Sequence, residues 1–350
     1  MNFSGTVKLN PVGVFVLLGL TFIFFVYSFA GKKTNEREVN LKNVLIAAVN
    51  AAIKGGDEIK VFNTVDINKR SKGKTKEGAN DFITDADVRS HCVMYYGLRY
   101  MFPFIKAGSA LNLIISHFAI TFVISEETPQ SDVCEKYYQK LSLNADDANI
   151  NALNDVYVPI DDITIWIDPL DATQEFTEQL REYVTTMVCV AVKGKPLIGV
   201  IHQPFSKQSI TSWSWLGNGI SNNLQQKNKV KVDTTNPKII VSRSHSGEVK
   251  KIIKHAIPTA EVVTAGGAGY KILQLINGNV SAYIHMTAIK KWDICSGNAI
   301  LNSVGGHLST FSGKDINYAD GNDSVIKNGI LAALLNHEWF YQKLKSYVPT

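Results

Sequence analysis

Trp166-Ile-Asp-Pro-Leu-Asp-Ala-Thr173 is the stretch whose reading decides the fold. Residues 163–167 form a short β-branched and aromatic run, the mark of a buried strand, and that run leads straight into Asp168. Pro169 fixes a turn, and Asp171 follows at an expected helix start, so two carboxylates can converge where a strand hands over to a helix. Alone, such a stretch also fits a plain helix cap, because Asp is common at N-caps. Its neighbours along the chain decide between the two.

Working outward, strands and helices alternate. Residues 185–192 and 197–201 read as strands around Lys193-Gly-Lys-Pro196, a hairpin. Residues 238–241 and 280–285 read as strands, and 249–255, 270–276 and 293–304 as helices, the last closed by Gly305-Gly306. Upstream, Leu41, Val44, Leu45, Ala48 and Ala52 recur at helical spacing, and Gly55-Gly56 is expected to end that helix. Residues 69–80, rich in Lys, Gly, Ser and Thr, read as a mobile loop, and Thr84 is the expected N-cap of the helix that Phe82-Ile-Thr-Asp-Ala-Asp87 opens. No internal repeat is visible, and the class is α/β or α+β.

The chain of 350 residues is long enough for one large or two abutting domains. Its net charge of +5 is scattered, not gathered into a basic block, which argues against a nucleic-acid polymer as partner and suits small anionic substrates. Cys92, Cys134, Cys189 and Cys295 lie far apart and form no CxxC pair, which argues against a zinc site or a thioredoxin-like motif, and buried free thiols are expected. Residues 9–31 carry no charge, and 14–29 read VFVLLGLTFIFFVYSF, close to the roughly 20 residues that span a bilayer. A membrane signal anchor over residues 11–30 is expected, between a tail (1–10) and a linker (31–40). A cleaved signal is the alternative, although its apolar core is usually about 7–15 residues. Lys32, Lys33 and Arg37 after the span favour a cytoplasmic body, whereas the sequons at Asn279 and Asn322 would be usable only in a lumen. Orientation stays open at this point.

Asp168 and Asp171, joined by the Leu170 carbonyl, form an oxygen-rich set of the kind that holds hard divalent cations such as Mg²⁺. Amides near Ala172 and Thr173 would offer a helix start to a phosphate. Two further acids stand at element ends: Ser125-Glu126-Glu127 follows the apolar run 118–124, and Trp292-Asp293 begins a helix. The run Gly266-Gly-Ala-Gly269 is ordinarily a turn, though it also lets a ligand approach the backbone closely.

Ser125-Glu-Glu, Trp166-Ile-Asp-Pro-Leu-Asp-Ala-Thr and Trp292-Asp-Ile-Cys-Ser-Gly-Asn-Ala, in this order, resemble the inositol monophosphatase superfamily of lithium-sensitive magnesium phosphatases. The resemblance spans residues 41–350. Residues 183–200, 241–247 and 265–271 are most similar to its Golgi-resident branch, which acts on 3'-phosphoadenosine 5'-phosphate and carries an amino-terminal anchor. It implies a layered αβαβα sandwich of the inositol monophosphatase and fructose-1,6-bisphosphatase type, divided at residues 41–205 and 206–350. It implies that Glu126, Asp168, the Leu170 carbonyl, Asp171 and Asp293 bind two or three Mg²⁺ ions. Thr173 would position the attacking water, and Asp87 would accept a proton. Ser242, His245, Gly267 and Lys271, with Asp171, Thr173 and Asp293, would line the substrate.

The activity implied is hydrolysis of the 3'-phosphate by a metal-activated water, in a Golgi-lumenal, single-pass type II glycoprotein, with a homodimer allowed. An inositol phosphate or sugar phosphate is the alternative substrate. A departure from the family pattern is the extra apolar segment 104–121, readable as a buried helix. If it displaces Glu126, a catalytically silent metal-binding membrane protein is the other outcome.

Overall fold

Asn40 starts the first described helix, α1 (Leu41–Lys60), its side chain accepting from the Lys42 amide. The computed structural model describes residues 38–62, 68–74, 80–103, 106–107, 122–128, 131–225, 234–244, 248–319 and 321–347, with residues 10, 19 and 21 singly. The expected anchor lies outside the described residues, and among these no helix is long and apolar enough to cross a membrane.

Gly55-Gly56 does not end α1, which continues to Lys60. A Cβ on Gly55 would stand 2.4 Å from the Met94 sulfur, and one on Gly56 would stand 2.6 Å from the His202 ring. The pair is there for close packing, and that need outweighs glycine's poor helix propensity.

Residues 69–80, expected as a loop, contribute to an antiparallel hairpin of β1 (Arg70–Lys74) and β2 (Asn80–Ile83). Every β1 residue is exposed, so no apolar alternation announced the strand. Helix α2 (Asp85–Met101) starts where Thr84 was expected to cap it, with Thr84 and Asp87 forming a reciprocal capping box.

A seven-stranded sheet is built from β3 (Lys106–Ala107), β4 (Phe122–Ser125), β5 (Ile163–Asp171), β6 (Thr185–Val192), β7 (Lys195–Gln203), β8 (Ile210–Trp215) and β9 (Gly219–Ile220). Its spatial order is β9-β8-β7-β6-β5-β4-β3, parallel from β3 to β5 and antiparallel beyond. All nine residues of β5 are buried. The strand runs through Asp171, which is therefore not at a helix start. The register shifts between Asp168 and Asp171, around Pro169, which has no N–H to give the ladder. After Ala172, at φ 72°, the five-residue helix α4 (Thr173–Thr177) begins.

The second sheet takes β10 (Lys238–Ser242), β11 (Glu261–Ala265), β12 (Ala282–His285), β13 (His307–Thr310) and β14 (Ile330–Ala333) in the order β11-β10-β12-β14-β13. Helices α1 and α2 pack Leu45, Ala48, Met94 and Leu98 on one face of the large sheet, against Ile165, Val188 and Val200. The other face meets α6 (Ala268–Ile276) and α7 (Lys291–Ser303), and the same apolar cluster continues into Ile240, Tyr283 and Ile330 of the second sheet. Ile239, Val241 and Leu331 point the opposite way, onto Val249 and Ile253 of α5 (Val249–Ala256) and Phe340 and Leu344 of α8 (His337–Leu344). The layers run helix, sheet, helix, sheet, helix.

The cysteines are not free thiols. Cys92 of α2 is bonded to Cys134, at the end of the short helix α3 (Ser131–Cys134), and Cys189 of β6 to Cys295 of α7. Partners 42 and 106 residues apart leave no mark in sequence spacing, since only the fold selects among the three pairings open to four cysteines.

Candidate active site

The carboxylates come together at the strand ends of the large sheet and the first turns of α2 and α7. Glu126 follows β4, and its amide donates to the Ile167 carbonyl across the parallel pair at 3.1 Å. That bond, with β4 in register beside β5, holds Glu126 close enough to Asp168 for its charge to act on it. Residues 106–107 of the extra segment 104–121 form β3, and the remainder lies outside the described residues.

Asp168 is 1% exposed, and its Oδ1 accepts the Leu170 amide at 3.2 Å. Burial first, then the charges of Glu126, Asp171 and Asp293, push its pKa well above the usual carboxylate range. Asp293, in the first turn of α7, is raised in the same way by burial, Glu126 and Asp171, and accepts the Lys290 amide at 3.1 Å. Asp171 is better satisfied. It accepts from the Thr185 hydroxyl at 2.9 Å and from the Ala268 and Gly269 amides at 3.0 and 2.8 Å. Burial raises its pKa, against the opposing pull of Lys271 and those donors.

The glycine run serves Asp171. Gly267 has φ +63°, and a Cβ there would stand 2.6 Å from the Tyr183 carbonyl oxygen and 3.0 Å from Asp171 Oδ2. A Cβ on Gly269 would meet Thr185 Oγ1 at 2.5 Å. Only glycine lets this backbone turn lie over the carboxylate. Lys271 is 3% exposed and donates to the Gly267 carbonyl at 2.5 Å, so its charge is fixed behind Asp171. Ser242 ends β10 and is buried; His245 lies outside the described residues.

Asp87 and Thr173 form a second unit. Thr173 Oγ1 lies 2.8 Å from Asp87 Oδ1 and 3.1 Å from the Leu170 carbonyl oxygen, while Thr84 donates its amide and hydroxyl to Asp87 Oδ2. Burial pushes the Asp87 pKa up to about 6, opposed by the Thr84 hydrogen bond.

Two participants gave no sequence signal. Lys72 of β1 reaches over the acids to Glu126 at 2.9 Å and Glu127 at 2.6 Å. Burial would lower its pKa, but the two carboxylates outweigh that and raise it. Thr185 is the other; its role is visible only once β6 pairs with β5.

Among the described residues, no three acidic side chains are already arranged around one point as an ion cage. Glu126 is turned to Lys72 and Asp171 to backbone amides, as carboxylates turn when chain donors are all they have. The donor set is nonetheless all oxygen, buried at Asp168 and Asp171 and half-buried at Glu126 and Asp293, and mutually repelling. These residues fit a hard divalent ion.

The same repulsion predicts how metal-free stability follows pH. Burial and Glu126 push the Glu127 pKa up to about 8, and Asp87 is near 6, both above their ordinary values of 4.5 and 3.8. An acid whose folded pKa is raised binds more protons when folded, so stability rises as pH falls through that pKa. Burial holds His202 near 4 and His91 near 3, below the ordinary 6.5, so their neutral rings cost stability once pH drops under 6.5. In a chelator, the melting temperature should rise as pH falls from 8.5 to about 6.5, and the rise should flatten below that, where protonation of the acids and the cost of the neutral histidines oppose one another. A curve that rises monotonically with pH would refute this account.

Residues 40–348 match the model of the inositol monophosphatase family. The Golgi-resident adenosine 3',5'-bisphosphate 3'-phosphatase of Mus musculus is 40% identical over 368 residues, covering 97% of this chain and 96% of that protein. Inositol monophosphatase 3 of Xenopus tropicalis is 40% identical over 364 residues, covering 97% and 95%. The solved inositol monophosphatase of Anabaena superposes with a TM-score of 0.57 at 19% identity, covering 88% of this chain and 97% of that one. Its likeness shows the mixed α/β fold. With family model and relatives in agreement across the folded body, this phosphatase belongs to the inositol monophosphatase family.

Proposed function

We propose that this phosphatase takes up 3'-phosphoadenosine 5'-phosphate and water and releases AMP and phosphate, with two or three Mg²⁺ ions held by Glu126, Asp168, the Leu170 carbonyl, Asp171 and Asp293. The observation that carries the reading is Asp168: a buried carboxylate facing three other acids needs cations to stay ionised near neutral pH. Bound Mg²⁺ supplies that neutralisation and Lewis-acid polarisation of the phosphate.

The chain's own groups supply the proton chemistry. Thr84 occupies Asp87 Oδ2, leaving Oδ1 to receive the Thr173 hydroxyl proton at 2.8 Å. With its proton so committed, the Thr173 oxygen is left as an acceptor that orients the attacking water, and Asp87 is the base behind it. Ser242, His245 and Gly267 border the substrate on this reading. Lys271, tied to Gly267, contributes a fixed positive charge from behind Asp171.

The body is placed in the Golgi lumen, anchored by residues 11–30 as a type II protein. Two disulfides suit an oxidising compartment, Asn279 and Asn322 of the sequons are exposed, and the mouse relative is named Golgi-resident. A second substrate reading, inositol monophosphate, is favoured by the name of the Xenopus relative. Phosphate release by the purified protein from both substrates decides between them. At least a tenfold preference in kcat/KM for the nucleotide is expected, about 1.4 kcal/mol of discrimination. Equal rates, or a preference for the inositol ester, would overturn the nucleotide reading.

A further inference from the structure

We propose that two consecutive residues of α2, His91 and Cys92, are positioning residues for Glu126 that clamp both ends of the segment carrying it. His91 Nδ1 lies 2.7 Å from Ser125 Oγ, one residue before Glu126. Cys92 is bonded to Cys134, eight residues after Glu126. Residues 125–134 thus leave α2 and return to it at neighbouring points on the helix.

The clamp is rigid at both contacts. His91 is 2% exposed, and its ring lies stacked on Tyr95 at 4.9 Å and edge-on to Tyr96 at 6.2 Å, so its orientation is fixed by packing. Cys92 and Cys134 are 0% and 1% exposed. His91 also follows Asp87 by four residues, which puts both on one face of α2. The helix that supplies Asp87 therefore sets the frame in which Glu126 stands.

Glu126 needs such support more than the other acids do. Asp168 and Asp171 belong to β5, whose nine residues are all buried, and Asp293 to a 13-residue helix. Glu126 follows a strand of four residues, flanked on one side by β5 and on the other by a strand of two. The disulfide closes the 42-residue span that includes the extra segment 104–121. Both ends of that span are thereby referred to one turn of α2. Groups that hold a metal ligand from behind commonly govern metal affinity 10- to 100-fold.

The inference rests on Glu126 being a ligand of the divalent ion. Its test is Mg²⁺ binding by calorimetry on the full chain in detergent, without substrate, so it does not depend on turnover. His91→Phe keeps the ring packing and removes the Ser125 contact; Ser125→Ala removes the same contact from the other side; Cys92→Ala/Cys134→Ala opens the far end. Each should weaken Mg²⁺ binding about tenfold or more. His91→Asn, with a polar atom near the Nδ1 position, should bind within about threefold of wild type. The Mg²⁺ midpoint for phosphate release should shift by the same factor, with kcat at saturating Mg²⁺ changing less. In a Glu126→Gln background, adding His91→Phe should cost nothing further.

Binding within twofold of wild type in both His91→Phe and Ser125→Ala would overturn the clamp, as would full additivity with Glu126→Gln. A lowered melting temperature with unchanged Mg²⁺ affinity would also overturn it, because that is what packing alone predicts. Intact Mg²⁺ binding with no hydrolysis of any phosphate ester would sink the proposed reaction and leave the clamp standing.

Discussion

Asp168→Asn should lower Mg²⁺-dependent phosphate release by about three orders of magnitude, a loss of ~4 kcal/mol in transition-state stabilisation. Asn keeps an oxygen for the Leu170 amide, 3.2 Å away, so the bulge around Pro169 is retained and only the charge goes. Without that charge, the oxygen set between Glu126 and Asp293 loses the carboxylate both other acids face. The same change should stabilise the metal-free protein. Asp168 is buried against like charges, so neutralising it removes a penalty, and ~1 kcal/mol of gain would raise the melting temperature by roughly 2 °C. Rate and stability therefore move in opposite directions, the pattern of a residue kept for chemistry at a cost to the fold. Activity within tenfold of wild type would remove Asp168 from the proposed machinery.

Replacing Cys189 and Cys295 together by Ala should destabilise the protein by about 4–5 kcal/mol. The bond closes a loop of 106 residues, and loop-closure entropy for about 100 residues is worth roughly that much. For a chain of this size the melting temperature should fall by roughly 10 °C. The loss should also reach the site: Cys189 shares β6 with Thr185, which holds Asp171, and Cys295 stands two residues after Asp293. Thermal melting of the double variant, with peptide mapping of the wild type under non-reducing conditions, checks this. A map showing free thiols at these positions would refute the pairing.

Much of the fold was legible because periodicity carries it. The all-buried run of β5, the Lys193-Gly194 turn between β6 and β7, and the Thr84 cap each follow from residue types that leave the backbone few alternatives. What stayed hidden depended on partners distant in sequence. Gly55-Gly56 reads as a stop until Met94 and His202 are brought against it. The polar strand β1 has no apolar face and exists only through its pairing with β2. In the site, the acids are singled out by the motifs of the family resemblance, and the fold brings Asp168, Asp171 and Asp293 within reach of one another's charge. Their supports are not: Thr185, the Ala268 and Gly269 amides, and the ammonium of Lys72 are ordinary residues until folding aims them.

Lys72 has a bearing on how the molecule is made. A newly synthesised chain has to gather its acids before any ion can be captured, at the moment when their mutual repulsion is greatest. An ammonium carried on an exposed hairpin and resting on Glu126 and Glu127 lets the body close first and load afterwards. On the metal reading proposed above, incoming ions would take the place of one tethered charge, and assembly would not have to wait on the supply of metal.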